Sequence, residues 1–180
     1  MRAAPTAVRG CYELLLEPSH DRRGSFVKVF HADTFAGLGL DLDVREVFLS
    51  RSGPGVVRGL HFQHPPSDVA KLVCCIEGAV LDAVVDLRSA SPTYREHALL
   101  ELSSDRANAL YVPKGCAHGF IVTDGDAVVA YAQSGVHDAA RDGGIHWASA
   151  GVHWPGDLGE IVLSDRDAAL PALDELASPF

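Results

Sequence analysis

The sequence is poor in basic residues and has no long apolar segment. Its 15 Lys and Arg residues against 24 Asp and Glu residues produce a formal net charge of −9, which argues against a general nucleic-acid-binding protein because such proteins present a basic surface. No stretch is long and apolar enough to span a bilayer. The segment from Met1 to Pro5 lacks the apolar run of a signal peptide. We therefore expect a cytoplasmic protein that binds neither nucleic acid nor membrane.

The few cysteines also lack the spacing of a metal site. Cys11, Cys74, Cys75 and Cys116 match neither a zinc ribbon nor a Cys-x-x-Cys motif. Cys74 and Cys75 are neighbours in a predicted strand, so their side chains should point to opposite faces. We predict four buried, reduced thiols, the usual state in cytoplasmic proteins.

Short apolar segments, separated by Gly, Pro, Asp and Ser, dominate the chain. Many short strands at close spacing predict an antiparallel sandwich or barrel. Helical patterns cover only His31–Leu38, with Asp33 as a candidate cap, and the tail Asp167–Ala177. Because no repeat or linker divides the chain, we predict one all-β domain over residues 1–180 with short peripheral helices. The predicted strands are Phe26–Phe30, Val44–Ser50, Leu72–Glu77, Val80–Leu87, His97–Leu102, Ala109–Val112, Gly119–Val122 and Ala127–Gln133.

A Pro113-x-Gly115-x-x-His118 turn between two predicted strands resembles the second motif of the cupin superfamily. That resemblance implies a jelly-roll barrel (a double-stranded β-helix) with His118 at its mouth. The first cupin motif normally supplies a His-x-His pair to a metal ion, whereas here His61 and His64 are three residues apart. Such residues face opposite sides of a regular strand. Too few inward ligands remain for a metal ion, so we expect none.

The segment from Arg58 to Gln63, followed by Lys71 and Tyr131, places a candidate base, cation and acid on neighbouring predicted strands. Histidine as a residue type ordinarily changes its charge near neutral pH, which makes His61 a candidate general base. A fixed lysine suits an enolate, and a tyrosine suits proton donation. The set is typical of an enzyme that removes a proton beside a ketone and returns one from the other face. Singly, each has an ordinary interpretation: a half-buried histidine, a solvated strand-edge lysine, a core tyrosine.

Ordered motifs extend over nearly the whole chain. They include Asp21-Arg-Arg23-Gly-Ser-Phe26, Gly55-Val-Val-Arg58-Gly-Leu-His61-Phe-Gln63, Val85-Asp-Leu-Arg88-x-x-Ser91-Pro-Thr93, Pro113-x-Gly-x-x-His118-Gly-Phe120 and Leu163-Ser-Asp-Arg-Asp167. Together they resemble the nucleotide-sugar 3,5-epimerases, the family of dTDP-4-dehydrorhamnose 3,5-epimerase. The resemblance implies a cofactor-free homodimer with a cupin fold. Its expected substrate is a nucleotide-diphosphate-linked 4-keto-6-deoxyhexose, inverted at C3, C5 or both.

The resemblance also implies roles for individual residues. His61 is the expected base, oriented by Asp167; Lys71 is expected to stabilise the enolate, and Tyr131 to return the proton. Arginines are expected on the diphosphate because their planar guanidinium groups bind phosphate oxygens in pairs. The implied substrate-binding residues are Arg23, Phe26, Lys28, Glu46, Phe48, Arg58, Gln63, His118, His137, Asp142 and Arg166.

Departures from the family pattern cluster on the nucleotide side. Lys28 stands at the family's base-binding glutamate, and His137 at the tyrosine that stacks on thymine. The change from glutamate to lysine exchanges an acceptor-only group for a donor-only group. Thymine presents an N–H donor at N3, where cytosine presents an acceptor. We hypothesise a base other than thymine, such as the cytosine of CDP.

Alternative functions stay open. The same scaffold supports epimerases that invert C3 alone and isomerases that move the ketone between C3 and C4, depending on how the sugar ring lies between His61 and Tyr131. An alternative from another class is a non-catalytic or metal-dependent cupin. It predicts bound metal, or binding without hydrogen exchange.

Overall fold

The structure, a computed structural model, describes residues 1–156 and 158–180 and consists mainly of antiparallel β-strands. Two short α-helices, α1 Ala32–Gly37 and α2 Asp165–Ala168, and 3-10 turns at Trp147–Ser149 and Leu173–Glu175 complete the described elements. The strands are β1 Arg2–Pro5, β2 Tyr12–Leu15, β3 Ser19–Asp21, β4 Gly24–Phe26, β5 Glu46–Ser52, β6 Val57–Gln63, β7 Lys71–Glu77, β8 Ala79–Asp86, β9 His97–Ser103, β10 Asn108–Val112, β11 Cys116–Ile121, β12 Ala127–Gln133 and β13 Asp142–Gly144.

Two sheets face each other across a shared core. The six-stranded sheet has the order β1-β2-β10-β7-β12-β5, and the five-stranded sheet has the order β13-β6-β11-β8-β9. Leu110 and Val129 from the first sheet pack with Phe120 and Val84 from the second in one buried cluster. This arrangement is the predicted cupin jelly roll. Strands β3 and β4 form a separate, exposed hairpin.

The predicted strands from Val44 onward are present, with some ends displaced. Ala127–Gln133 has the predicted bounds, whereas the strand predicted at Gly119–Val122 begins earlier, at Cys116. The strand predicted at Phe26–Phe30 is wrong, because β4 ends at Phe26. Val29 and Phe30 pack instead against the apolar cluster around α1, where the rings of Phe30 and Phe35 are 4.8 Å apart. Their apolar pattern therefore reflects packing against a helix.

Both helical predictions need correction. Helix α1 lies within the predicted range, but its N-cap is His31 and Asp33 lies in the first turn without capping. The tail is not one helix over Asp167–Ala177: α2 ends at Ala168, and a separate 3-10 turn follows at Leu173–Glu175. Pro171 lies between them and interrupts the helix, because its ring occupies the amide position needed for hydrogen bonding.

The cysteine predictions agree with the structure. All four thiols are buried and free. Cys75 packs inside the barrel and Cys74 in the outer cluster against α1, so the two neighbours do face opposite sides of β7. Burial raises the pKa of Cys11 to about 12 and that of Cys74 to about 11. Among the described helices, none has the length and apolarity to cross a membrane.

Candidate active site

A cavity of about 360 Å³ opens between the two sheets at one end of the barrel. Strand β6 supplies His61 and β11 supplies His118 from the five-stranded sheet, and β7 and β12 supply Lys71 and Tyr131 from the six-stranded sheet. The candidate base, cation and acid predicted from the sequence therefore share one cavity. The full lining is Phe48, Leu49, Ser50, Arg58, His61, Lys71, His118, Gly119, Tyr131, Ser164, Arg166 and Asp167.

His61 and Asp167 form a hydrogen-bonded pair, with 2.7 Å between Nε2 and Oδ1. Burial by itself would raise the pKa of Asp167, but the hydrogen bond and charge of His61 and the Gly59 N–H outweigh it and hold that pKa below its usual value. The carboxylate is therefore ionised at neutral pH. An ionised partner on one ring nitrogen orients the imidazole and stabilises its protonated form.

Local backbone geometry positions this pair. The Gly59 N–H donates to Asp167 Oδ2 at 3.1 Å, and the hydroxyl of Ser164, the N-cap of α2, accepts from the Asp167 backbone N–H at 3.1 Å. Gly59 has φ +114°, and a Cβ there would lie 2.7 Å from the His118 carbonyl oxygen. Glycine is thus required where β6 passes close to β11 beneath the pair.

Tyr131 lies almost wholly buried, with 8% of its surface exposed. Its ring stacks on Phe48, its cross-strand partner on β5, with centroids 4.6 Å apart and planes 11° apart. Burial raises the pKa of the phenol above its usual value, while the Ser50 hydroxyl and the Arg58 cation act in the opposite direction. The residue is therefore a neutral phenol at physiological pH, as a proton donor must be.

Lys71 stands at the start of β7, paired with Gln133 and Val112 on either side. Burial lowers the pKa of its ammonium to about 8, although the carboxylates of Asp142 and Asp82 act in the opposite direction. The group stays mostly charged at neutral pH. A cation that is partly removed from water stabilises nearby negative charge more strongly than a fully solvated one does.

His118 faces the cavity, but its Nε2 is bonded to both carboxylate oxygens of Asp82 at 2.9 Å. Burial raises the pKa of Asp82, opposed by His118 and Lys71. Sequence reasoning missed Asp82. The available signal was a carboxylate in the interior of the apolar strand Val80–Leu87, since a buried acid needs a partner.

A second cavity of about 290 Å³ adjoins the first and shares His61, Phe48, Lys71 and Arg166 with it. Here the structure brings together most of the residues predicted on the nucleotide side. Arg166 pairs with Asp142 at 2.8 Å. Glu46 accepts hydrogen bonds from Gln133 Nε2 and from the His137 backbone N–H, each at 2.8 Å. The remaining lining residues are Phe62, Gln63 and His137.

Two predicted binding residues form hydrogen bonds to other residues of the protein. Arg58 Nε donates to Ser52 Oγ at 2.9 Å, which holds the guanidinium at the edge of the first cavity. The amide of Gln63 donates to the Ser67 carbonyl at 2.7 Å and accepts from the Asp138 N–H at 2.6 Å. Gln63 thus ties together the loops that flank the second cavity.

Arg23, Phe26 and Lys28 lie away from both cavities of their own chain. Arg23 Nε donates to Asp21 Oδ2 at 3.0 Å within the β3–β4 hairpin, and Phe26 is 65% exposed. Their predicted contact with substrate stays a prediction.

His61 and His64, the two histidines in the segment that corresponds to the first cupin motif, lie in different surroundings. His64 packs its ring edge against Phe62, with centroids 5.0 Å apart, while His61 faces the cavity. In residues 1–156 and 158–180, no group of three or more His, Cys, Asp or Glu side chains is arranged to hold a metal ion.

Comparison with known proteins yields a consistent set of relatives. The family model of dTDP-4-dehydrorhamnose 3,5-epimerase matches residues 5–175. A dTDP-4-dehydrorhamnose 3,5-epimerase from Streptomyces griseus is 39% identical over 96% of this chain and 86% of the relative. A dTDP-4-dehydrorhamnose 3-epimerase from Streptomyces niveus is 39% identical over 93% of this chain and 81% of the relative.

A solved structure is similar over almost the same length. It is a dTDP-6-deoxy-D-glucose-3,5-epimerase from Legionella pneumophila in complex with dTDP-4-keto-L-rhamnose. The TM-score is 0.92 at 30% identity, and the alignment covers 98% of this chain and 94% of that one. The similarity therefore includes both sheets and the segments that line the cavity.

Proposed function

The chain belongs to the dTDP-4-dehydrorhamnose 3,5-epimerase family and is an epimerase of nucleotide-linked 4-keto-6-deoxyhexoses, and from this premise we propose that His61 and Tyr131 carry out its two proton transfers. The observation that carries the proposal is the shared cavity, in which these residues project from opposite sheets. A base and an acid on opposite faces of a sugar ring invert the carbon between them.

In the first step, His61 removes the proton from a carbon next to the C4 ketone. The ring nitrogen that is not bonded to Asp167 accepts it, and the electron pair of the C–H bond moves into the enolate. The pairing with Asp167 at 2.7 Å supports this assignment, because the carboxylate stabilises the imidazolium that forms.

Negative charge then develops on the C4 oxygen. Lys71 is suited to stabilise it, because its side chain lines the same cavity and its backbone is fixed by the pairing of β7 with β12. Tyr131 next donates its phenolic proton to the carbon from the other face, and the enolate electron pair forms the new C–H bond. The proton gained by His61 and the proton lost by Tyr131 balance.

The diphosphate needs cations near the cavity entrance. Arg58 and Arg166 line the first cavity and Arg166 also lines the second, so they are suited to hold phosphate oxygens between sugar and base. Phe48 and His137 would then flank the nucleoside in the second cavity.

Inversion at C3 alone is the second candidate. The Streptomyces niveus relative is named a 3-epimerase and is as similar to this chain as the 3,5-epimerase from Streptomyces griseus. The two activities differ only in whether the second α-carbon also reaches His61 and Tyr131.

Solvent exchange tests the proposal. In D₂O with a dTDP-4-keto-6-deoxyglucose substrate, NMR should show deuterium at C3 and C5; deuterium at C3 alone indicates the second candidate. We expect His61→Asn to slow exchange by about 10²–10⁴-fold, the usual contribution of a general base. His64→Asn is the matched control, since His64 packs outside the first cavity, and should retain normal exchange. Exchange at the normal rate in His61→Asn would refute the role of His61.

We also propose that the enzyme is a homodimer in which the β3–β4 hairpin of one chain completes the cavity of its partner. Two features support this arrangement. The hairpin projects from its own barrel with every residue exposed, and the edge strand β5 presents Val47 and Leu49 to solvent. Such exposed apolar groups are typical of interaction surfaces. A cytoplasmic location is also proposed, which the four free thiols support.

A further inference from the structure

Ser50 has a hydroxyl group whose environment is unusual for a folded protein. In the described part of the chain, its Oγ is the one buried side-chain nitrogen or oxygen without a hydrogen-bond partner. Native proteins pair nearly all such atoms, so an exception calls for a reason. Ser50 also lines the first cavity, beside the catalytic groups.

Strand register places Ser50 next to Tyr131. Strand β5 pairs with β12 so that Phe48 lies opposite Tyr131 and Ser50 lies opposite Val129. Residues two apart on a strand share a face, and Ser50 is therefore the diagonal neighbour of Tyr131 on the cavity side. The ring of Phe48 stacks on Tyr131 on the same side of the sheet.

We propose, on the basis of the function proposed above, that Ser50 is a positioning residue for Tyr131 whose O–H donates a hydrogen bond to the phenolate left after proton donation. At rest Tyr131 is a neutral phenol, and the two hydroxyls do not meet with hydrogen-bond geometry. Burial raises the pKa of the phenol most, and the Ser50 hydroxyl, as a hydrogen-bonding neighbour, lowers it. The free Ser50 donor is thus beside the oxygen on which charge develops.

The chemistry explains why the donor stays unpaired at rest. When the phenolic proton passes to the substrate carbon, the O–H electron pair remains on the tyrosine oxygen. That oxygen belongs to a buried side chain, and a hydrogen bond to an ionised acceptor is about twice as strong as one to a neutral acceptor. An interaction that strengthens only as charge develops raises kcat and leaves substrate binding unchanged.

Replacing Ser50 tests this role. We expect Ser50→Ala to lower kcat by about 10- to 100-fold, the range for a lost hydrogen bond to a charged group. KM should change by less than about twofold, since the bond is absent from the ground state. Ser50→Thr keeps the hydroxyl and should restore most of the rate. Ser50→Cys has a weaker donor of similar shape, so its kcat should lie between that of Ser50→Ala and that of the unsubstituted protein. It replaces Ser50→Ala as the test if that variant folds poorly.

Ser52→Ala is the contrasting control on the same strand. It removes the hydroxyl that accepts from Arg58, so it should act mainly on KM through the diphosphate. If Ser50→Ala likewise changed KM and left kcat unchanged, Ser50 would be a substrate-binding residue and the proposal would be overturned.

A double-mutant cycle shows whether Ser50 acts through Tyr131. No phenolate forms in Tyr131→Phe, so adding Ser50→Ala should change the residual proton exchange by less than about twofold. Equal losses from Ser50→Ala in both backgrounds would overturn the proposal. If the unsubstituted protein exchanges neither the C3 nor the C5 proton of 4-keto sugars, the proposed function itself is wrong, which is a different result from either outcome of the cycle.

Discussion

At the residue scale, loss of water moves the ionisable groups of the cavity in different directions. It lowers the pKa of Lys71 to about 8 and raises that of Tyr131. Asp167 keeps a low pKa because hydrogen bonds outweigh its burial. The result at neutral pH is a carboxylate, a charged but readily titrated lysine and a neutral phenol. Each is in the form that its proposed step requires.

The low pKa of Lys71 predicts an alkaline limit to activity. As pH rises through about 8, the ammonium loses its proton and no longer stabilises the enolate, so kcat should fall. The phenol of Tyr131 titrates at higher pH and should not contribute to this fall in kcat. A kcat profile between pH 6 and 10 measures the effect.

Lys71→Arg supplies the control, because guanidinium keeps its charge over this range. Its activity, though reduced by the altered geometry, should not fall near pH 8. If the kcat of the unsubstituted protein stays level to pH 10, or if kcat falls near pH 8 in Lys71→Arg as well, Lys71 is not the group that limits activity at alkaline pH.

Single residues also bear on the nucleotide base. Lys28, in place of an expected glutamate, predicts that CDP binds at least as tightly as dTDP, because a donor replaces an acceptor. Calorimetric titration with dTDP, CDP, UDP and GDP measures the order, and Lys28→Glu should shift it towards dTDP. A marked preference of the unsubstituted protein for dTDP would end the hypothesis.

At the scale of elements, the His61–Asp167 pair depends on how closely β6 passes β11. The pairing of these strands shifts register between His118 and Phe120, opposite Gly59. There the Gly59 N–H turns towards α2 and reaches Asp167. A short helix and an irregular strand thus hold His61 against its partner, and neither would do so alone.

Gly59→Ala should disrupt this contact. The new Cβ would lie 2.7 Å from the His118 oxygen and 2.8 Å from Gly119 Cα, both backbone atoms, at a φ of +114°. We expect a loss of about 2 kcal/mol or more in unfolding free energy and a lower kcat as Asp167 moves from His61. Urea unfolding and turnover measure the two effects.

The control is Gly125→Ala, which also has positive φ, at +63°, but no atom within 4 Å of its Cβ. It separates backbone strain from the close approach of the strands. Equal losses of stability in the two variants would show that the approach of β6 to β11 is unimportant.

At the scale of the whole molecule, the two sheets close on one core and leave apolar surface elsewhere. Val29, Phe30, Val47, Ile76 and other apolar side chains line a groove on the outer face of the six-stranded sheet. The exposed hairpin β3–β4 and the edge strand β5 add to this exposed apolar surface. The organisation of residues 1–180 as one domain stays a prediction, although both sheets contribute to one buried cluster.

The proposed dimer predicts that Val47→Lys yields a monomer. Val47 is 67% exposed on β5, and burying a lysine in an apolar interface is costly. Analytical ultracentrifugation should show a dimer for the unsubstituted protein and a monomer for the variant. Turnover should also drop, because the hairpin of the partner would be lost from the cavity.

Val136→Lys is the matched control. Val136 is 66% exposed but lies outside the hairpin and β5, so this variant should remain dimeric. A fully active monomer of the unsubstituted protein at all concentrations would disprove the dimer.

Sequence reasoning singled out His61, Lys71 and Tyr131 as candidates through their joint pattern and the family resemblance, because each residue alone has an ordinary interpretation. It missed Asp82 and Ser50, since their importance arises from neighbours on other strands. The strand predicted at Phe26–Phe30 failed for the same reason: Phe30 packs on Phe35 of a helix, and a short apolar run cannot identify its partner.

The sequence by itself determined the all-β fold and the family, and it supplied the candidates for taking, stabilising and returning a proton. These follow from residue type, from strand periodicity and from motif spacing, all of which are written along the chain. Only the tertiary structure decided that Asp167 lies 2.7 Å from His61, that burial moves the pKa of Lys71 to about 8 and that Ser50 has a free donor beside Tyr131. Hydrogen bonding and desolvation depend on which distant segments meet, and the closing of the two sheets determines that.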